Sequence, residues 1–208
     1  MSTPFAQPAP VNTAFARTER TTPLRARHRI DYAKASALQV LDEALFCDVA
    51  FTGPDGAPRV LPTFHARLGD TVYLHGSTGS STALAAREGL DVCLTATVVD
   101  GLVYAKSWFH HSVNYRSVVV HGRAVPVTDA HERRLAMRAL IERMSTGRSE
   151  RSREPDAKEE AASAFLAVPL EEVSVKRRSG PPSEEPEDED LPYRNGVAEV
   201  RTSVTGRL

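Results

Sequence analysis

Residues Trp108 to Ala124 read Trp-Phe-His-His-Ser-Val-Asn-Tyr-Arg-Ser-Val-Val-Val-His-Gly-Arg-Ala. His110, His111, Ser112, Asn114, Tyr115, Arg116 and Ser117 fall within eight positions. They offer imidazole, hydroxyl, amide, phenol and guanidinium groups at the mouth of a strongly β-forming run, Tyr115 to Val120. Polar groups gathered at the end of a strand suit a ligand held at the rim of a barrel. The plainer alternative is a solvated hairpin shoulder leading into a core strand. Arg116 is a natural phosphate clamp, and Asn114 and Ser117 can hydrogen-bond the edge of a heterocycle. On that reading, replacing Arg116 by Ala weakens a phosphorylated ligand more than its unphosphorylated form.

Two further clusters carry chemistry. His75-Gly-Ser-Thr-Gly-Ser-Ser-Thr82 lies between a strand and a helix. Its small residues leave backbone N–H groups and a helix N-terminus free for a phosphate, or serve as a plain turn with a hydroxyl cap. It lacks the Lys of a nucleotide-triphosphatase loop and the spacing of a dinucleotide fingerprint. Arg59-Val-Leu-Pro-Thr-Phe-His65 places Pro62 inside a strand. The missing N–H marks an edge, a bulge or a ligand-facing gap, and Phe64 reads as core. Brought to one rim, these clusters would seat an anionic cofactor bearing a flat ring.

Other chemistries fit less well. Adjacent residues of an extended segment face opposite ways, so at most one of His110 and His111 could ligate a metal or haem. The ligand spacing of a zinc site is absent. Ser112 lacks the context of a hydrolase nucleophile. The arginines from Arg133 to Arg153 read as a solvated helix face without interleaved aromatics, which argues against nucleic acid.

The elements that must position these groups follow from periodicity. Asp31 is expected to cap a helix through about Ala44, with Ala37, Leu38, Leu41, Ala44 and Leu45 on one stripe. The period then becomes two. Strands are expected at Phe46–Thr52, Pro58–Leu68 and Thr71–His75, joined by turns at Gly53-Pro-Asp-Gly56 and Gly69-Asp70. A short helix, Ala83–Glu88, precedes strands Asp91–Val99 and Leu102–Ser107, with Asp100-Gly101 as a hairpin turn. A long strand, Tyr115–Val127, leads to a capped helix from Asp129 to Met144, its inner face formed by Leu135, Met137, Leu140, Ile141 and Met144. A helix near Asp156–Ala162 and a final strand, Ala164–Val175, follow. Connections this short forbid a parallel doubly wound sheet. The expected fold is mainly β with flanking helices (α+β), a six- or seven-stranded antiparallel split barrel. Residues 1–24 read as poorly ordered or ordered only by docking, 25–178 as the barrel domain, and 179–208 as an extended acidic tail.

Composition sets bounds. The chain has 208 residues, 41% hydrophobic and 25% charged, with a net charge of −1. Nothing in that balance calls for nucleic acid or an anionic membrane. Cys47 and Cys93 sit in apolar β-like runs and read as buried hydrophobes of a reducing compartment, although a disulfide between them stays open. No run is long enough to span a bilayer, and a cytoplasmic location is expected.

The order of these segments resembles the flavin-binding split-barrel proteins of the pyridoxamine 5′-phosphate oxidase-like superfamily, in particular the nitroimidazole-resistance reductase-like branch. The matching pieces are Leu41-Asp-Glu-Ala-Leu-Phe-Cys-Asp-Val-Ala50, Arg59-Val-Leu-Pro-Thr-Phe64, Val72-Tyr-Leu-His-Gly76 with its Ser/Thr loop, Asn114-Tyr-Arg-Ser-Val-Val-Val-His-Gly122 and Val173-Ser-Val-Lys176. They span roughly Arg25 to Pro182. The resemblance implies a homodimer with FMN at its interface. The phosphate would meet Ser77, Thr78, Ser80 and Ser81, near His75. The ring would meet Val60, Leu61, Pro62 and Thr63. Asn114, Arg116 and Ser117 would complete the pocket from the partner subunit or the same one, and His110 or His111 would face the ring or substrate. This chain has Ser80-Ser81 where many relatives carry Lys or Arg, and Tyr193 near the place of a late Trp. The implied activity is an FMN-dependent oxidoreductase, passing electrons from an NAD(P)H donor to a small organic acceptor. The alternative is a non-catalytic flavin- or haem-binding store or sensor.

Overall fold

The computed structural model describes residues 13–205. Of the N-terminal segment, residues 1–12 lie outside the described residues, as do the tail residues 206–208. In chain order the elements are β1 (Ile30–Asp31), α1 (Lys34–Glu43), β2 (Phe46–Thr52), β3 (Pro58–Leu68), β4 (Thr71–Ser77), α2 (Ser81–Ala85), β5 (Leu90–Tyr104), β6 (Ser112–Pro126), α3 (Ala130–Met144), α4 (Ala157–Ala162), β7 (Ser163–Pro169), β8 (Glu172–Arg178) and β9 (Gly196–Glu199).

All the strand pairs are antiparallel. Following hydrogen-bonded neighbours from β6 to β7, β4, β3, β2, β5 and back to β6 closes a ring of six strands. The expected fold class, mainly β with flanking helices, is the one observed. Three short strands branch from the ring. β8 and β1 extend one edge of β6, and β9 extends β5 beyond its pairing with β2.

Alternation along the strands sorts the core, because successive side chains point to opposite faces. In β2, Cys47, Val49 and Phe51 are buried while Phe46, Asp48 and Thr52 are exposed. The inward residues join Ala37, Val40 and Leu41 of α1 in one apolar cluster. The outward residues of β3, β4 and β7 (Ala66, Tyr73, Phe165 and Ala167) form a second cluster under Ala136 and Leu140 of α3. The stripe expected on α3 is thus shifted. Leu135 and Met144 are exposed, because the small Ala136 lets the helix approach the sheet closely.

Other boundaries also differ from the sequence pattern. Asp31 is not the helix cap but a residue of β1; its carboxylate accepts from the Ala33 N–H at 2.8 Å and the Ser36 hydroxyl at 2.5 Å. Asp100-Gly101 is not a turn. β5 runs straight through it with a register shift between Val99 and Gly101. The glycine is needed because a Cβ there would lie 2.9 Å from Val197 and 3.0 Å from the Ala198 carbonyl of β9. The expected final strand breaks at Leu170, whose N–H donates to the Asp70 carbonyl at 2.8 Å, so β7 and β8 pair with different partners.

The described parts of the segments on either side of the barrel dock onto it. Phe15 is buried, and Arg20 meets Glu172 at 2.5 Å. Glu184 of the tail accepts from the Lys106 N–H at 3.0 Å. Cys47 and Cys93 are free thiols, and burial pushes Cys47 up to about 12. Among the described residues, no helix is long and apolar enough to cross a membrane.

Candidate functional site

The ring is forked between β3 and β4. Their ladder runs from Leu68↔Thr71 to His65↔Leu74 and stops there. Beyond it, Pro58–Phe64 of β3 pair only with β2, and His75–Ser77 of β4 pair only with β7. Pro62 lies on the open edge this fork creates, opposite Asp48 of β2, where a missing donor costs least. Val60 is 60% and Leu61 37% exposed, unusual for apolar residues inside a long strand. Thr63 is half-buried, and its hydroxyl donates to the Leu61 carbonyl at 3.2 Å. Phe64 packs partly into the second cluster and meets Phe46 edge-on at 6.1 Å.

The Ser/Thr loop stands on the other arm of the fork. The Ser80 hydroxyl caps α2 by accepting from the Ala83 N–H at 3.2 Å. The N–H groups of Thr78, Gly79 and Ser80 are also taken, by the Ala162 carbonyl, the Ser77 hydroxyl and the Ser77 carbonyl. Ser77, Thr78 and Ser81 remain exposed, and the Ser81 and Thr82 hydroxyls point to no protein partner among the described residues. His75 lies beside Phe165, ring centroids 5.2 Å apart, and desolvation lowers its pKa. The structure therefore brings two of the three sequence clusters, Val60–Thr63 and His75–Ser81, to one opening.

The third cluster is elsewhere. Asn114, Arg116 and Ser117 are not in a loop but inside β6. In the ring β5 and β2 separate β6 from β3, and Arg116 lies nine residues from Val125, where β6 first meets β7. At about 3.3 Å per residue that is roughly 30 Å of strand. The reading of Arg116 as an open phosphate clamp meets a plain obstacle. Its Nη1 donates to Glu43 at 2.6 Å, its Nη2 to Glu43 at 2.8 Å and to Asp100 at 2.6 Å, and its Nε to Asp100 at 3.0 Å. A guanidinium already flanked by two carboxylates presents no net positive field to an anion. The hydrogen bond from Arg116 holds the Glu43 carboxyl below its ordinary value, and the same contacts raise the Arg116 pKa. The Asn114 amide is likewise committed. It donates to the Gly180 carbonyl at 3.1 Å and accepts from Arg178. The Ser117 hydroxyl reaches the Lys176 carbonyl at 3.4 Å. All three tie β6 to α1, β8 and the tail.

His110 and His111 lie at the tip of the β5–β6 connection. His110 Nε2 is 3.4 Å from Glu185. His111 Nδ1 is 2.9 Å from the Ser107 carbonyl, to which it donates. Trp108 is 95% and Phe109 90% exposed, with the Phe109 ring edge-on to His110 at 5.1 Å, so the tip presents apolar surface to solvent.

Sequence reasoning missed one feature. The arginines of α3, read as a solvated face, line a cleft of about 770 Å³ between α3, α4 and residues 149–155. The signal was present as Arg133, Arg134, Arg138 and Arg153 interleaved with Leu135, Met137 and Ile141.

The family model for pyridoxamine 5′-phosphate oxidase matches residues 33–177, most of the chain. The chain belongs to that family. Two solved structures are similar across nearly their whole length. The flavocytochrome Anf3 from Azotobacter vinelandii is 34% identical, with a TM-score of 0.85 over 93% of this chain and 90% of that one. The FAD and haem binding protein from Mycobacterium smegmatis is 31% identical, with a TM-score of 0.80 over 86% of this chain and 88% of that one. A putative 5-nitroimidazole antibiotic resistance protein from Bacteroides thetaiotaomicron shares the fold at 20% identity, with a TM-score of 0.61 over 71% of this chain and 85% of that one. No curated protein matches.

Proposed function

We infer that this chain is a flavin-dependent oxidoreductase whose flavin ring lies along the open edge of β3, with its phosphate end toward the Ser77–Ser81 loop. The observation that carries this reading is the fork at His65 and Leu74. It exposes Val60, Leu61 and Pro62 as an apolar edge for a flat ring and sets hydroxyl groups on the opposite arm. Two relatives at 34% and 31% identity, a flavocytochrome and an FAD and haem binding protein, support it. When bound, the flavin supplies the electron transfer, from a nicotinamide donor to a small organic acceptor. The chain supplies apolar contact at Val60–Pro62, hydrogen bonds from Ser77 and Ser81, and exclusion of water by Phe46 and Phe64, while the Thr78 hydroxyl stays on the Ala162 carbonyl. With Arg116 held by Glu43 and Asp100, the hydroxyls and not that guanidinium meet the phosphate. The protein acts as a homodimer in the cytoplasm, where its two free thiols stay reduced. The exposed Trp108–Phe109 tip of one copy packs beside the forked edge of the other. That arrangement delivers His110 and His111 to a site their own subunit holds far away.

The test is the colour of the purified protein. A flavin absorption spectrum that bleaches when NAD(P)H is added supports the oxidoreductase. Protein that gains no chromophore on incubation with FMN or FAD refutes it.

A second reading, haem bound in addition to flavin, is favoured by His111. Its Nδ1 sits on the Ser107 carbonyl, the backing a metal-bound imidazole ordinarily has, and its ring meets Tyr104 edge-on at 6.1 Å. A Soret band abolished by His111→Ala but retained in His110→Ala is the expected result.

A further inference from the structure

The cleft of about 770 Å³ beside α3 is backed by Phe165 of β7, the strand that pairs with the β4 arm carrying the Ser/Thr loop. Ser77 pairs with Ser163, and Thr78 donates to the Ala162 carbonyl at 3.0 Å. Arg133 donates to the carbonyls of Ser163 and Glu160, both at 2.9 Å. Its guanidinium stacks over Phe165, 5.4 Å from the ring centroid, and Phe165 also touches His75. Residues 160–165 are therefore a shared wall, with the loop on one side and the cleft on the other.

The cleft is built for a ligand with three kinds of surface. Leu135, Met137 and Ile141 present an apolar strip, and Leu135 is 44% exposed on it. Arg134 faces the same space and makes no ion pair or hydrogen bond among the described residues. The Glu154 carboxylate is also unpaired among them. The ion pairs at the rim, Arg138–Glu150 at 3.3 Å and Arg153–Glu159 at 2.8 Å, are exposed and cheap to rearrange. A volume of this size suits a small organic ligand. An apolar strip, a free cation and a free anion in one cleft match a flat base, a phosphate and a sugar diol.

We propose that this cleft binds an adenosine 5′-diphosphate group. The base lies against Met137 and Ile141, Arg134 meets the phosphates, and Glu154 accepts from the ribose hydroxyls. Two molecules could carry that group: a flavin that is a dinucleotide, or a nicotinamide dinucleotide donor. The wall shared with the phosphate loop favours the flavin. The inference rests on the flavin reading for that assignment only, not for the cleft.

The test is calorimetric titration of the full-length protein, stripped of any flavin, with FMN, FAD, NADPH and ADP. Wild type is compared with Arg134→Glu and Leu135→Asp, two exposed substitutions whose folding is checked by circular dichroism. FAD should bind at least tenfold more tightly than FMN. Both variants should bring FAD down to the level of FMN and leave FMN unchanged, and ADP should compete with FAD. If FAD and FMN bind equally but both variants weaken NADPH, the cleft holds the donor and the proposal stands with that source. If neither flavin binds, the flavin reading fails, and ADP alone decides the cleft. ADP binding that Arg134→Glu abolishes supports it, and no ADP binding overturns it. The proposal is also overturned if Arg134→Glu changes none of FAD, NADPH and ADP.

Discussion

Arg116 is where the structure redirects the argument, and its replacement is the sharpest test. Arg116→Met keeps the apolar stem and removes the charge. The wild-type guanidinium makes four contacts of 2.6 to 3.0 Å with Glu43 and Asp100. A charge-assisted hydrogen bond contributes about 1.5–3 kcal/mol where buried. Here the Glu43 and Asp100 side chains are 46% and 37% exposed, so each pair counts for about 1 kcal/mol instead. Both carboxylates touch the same Nη2, so its loss leaves like charges roughly 5 Å apart, costing about another 1 kcal/mol near solvent. The expected destabilisation is about 2–3 kcal/mol, read as a drop of about 1 M or more in the urea midpoint. The effect depends on pH. The hydrogen bond from Arg116 holds the folded Glu43 below the 4.5 of an ordinary glutamate. Its contribution is thus full above pH 4.5 and fades as the pH falls through the folded value. The gap between wild type and Arg116→Met should therefore shrink in acid. FMN and riboflavin affinities should fall together, if at all. An unchanged midpoint with a tenfold loss for FMN alone would refute this reasoning and make Arg116 the phosphate clamp.

Two more outcomes follow from buried and exposed extremes. His65 is fully buried, its Nε2 2.9 Å from the Leu41 carbonyl and its Nδ1 without a partner, and burial lowers its pKa to about 4. The unfolded chain binds a proton near pH 6.5 that the folded one resists, so stability should fall by about 2–3 kcal/mol between about pH 7 and pH 4.5. His65→Gln should flatten that slope in urea titrations, and an equal slope in both proteins would sink the assignment. Trp108→Ala and Phe109→Ala remove side chains 95% and 90% exposed, so each should change subunit stability by less than about 0.5 kcal/mol. Sedimentation velocity should nevertheless show weaker self-association, and a dimer untouched by both changes would place the interface elsewhere.

Period-two alternation and turn glycines identify β2, β3 and β4 within a residue or two, because those strands bury one face and expose the other. Pro62 announces an open edge by its missing donor, and there β3 pairs with β2 on one side and has no β4 partner on the other. Asp100-Gly101 misleads because the Asp-Gly signal reports a backbone need, not its cause. Here the need is the close approach of β9, almost a hundred residues on. Leu170 misleads similarly, since the break between β7 and β8 is set by a bond to Asp70.

Local chemistry, then, was written in the chain itself: which residues alternate, which loop is rich in hydroxyls, where a donor is missing, which side chains carry charge. Those properties belong to single residues and near neighbours, and no packing is needed to read them. Which groups are free to meet a ligand was decided only by the fold. Arg116 looks available until Glu43, from a helix 73 residues earlier, closes on it. The arginines of α3 do face solvent, but α4 and the 149–155 segment turn that face into one wall of a cleft. Availability depends on what lies across space, and sequence separation carries no record of that distance.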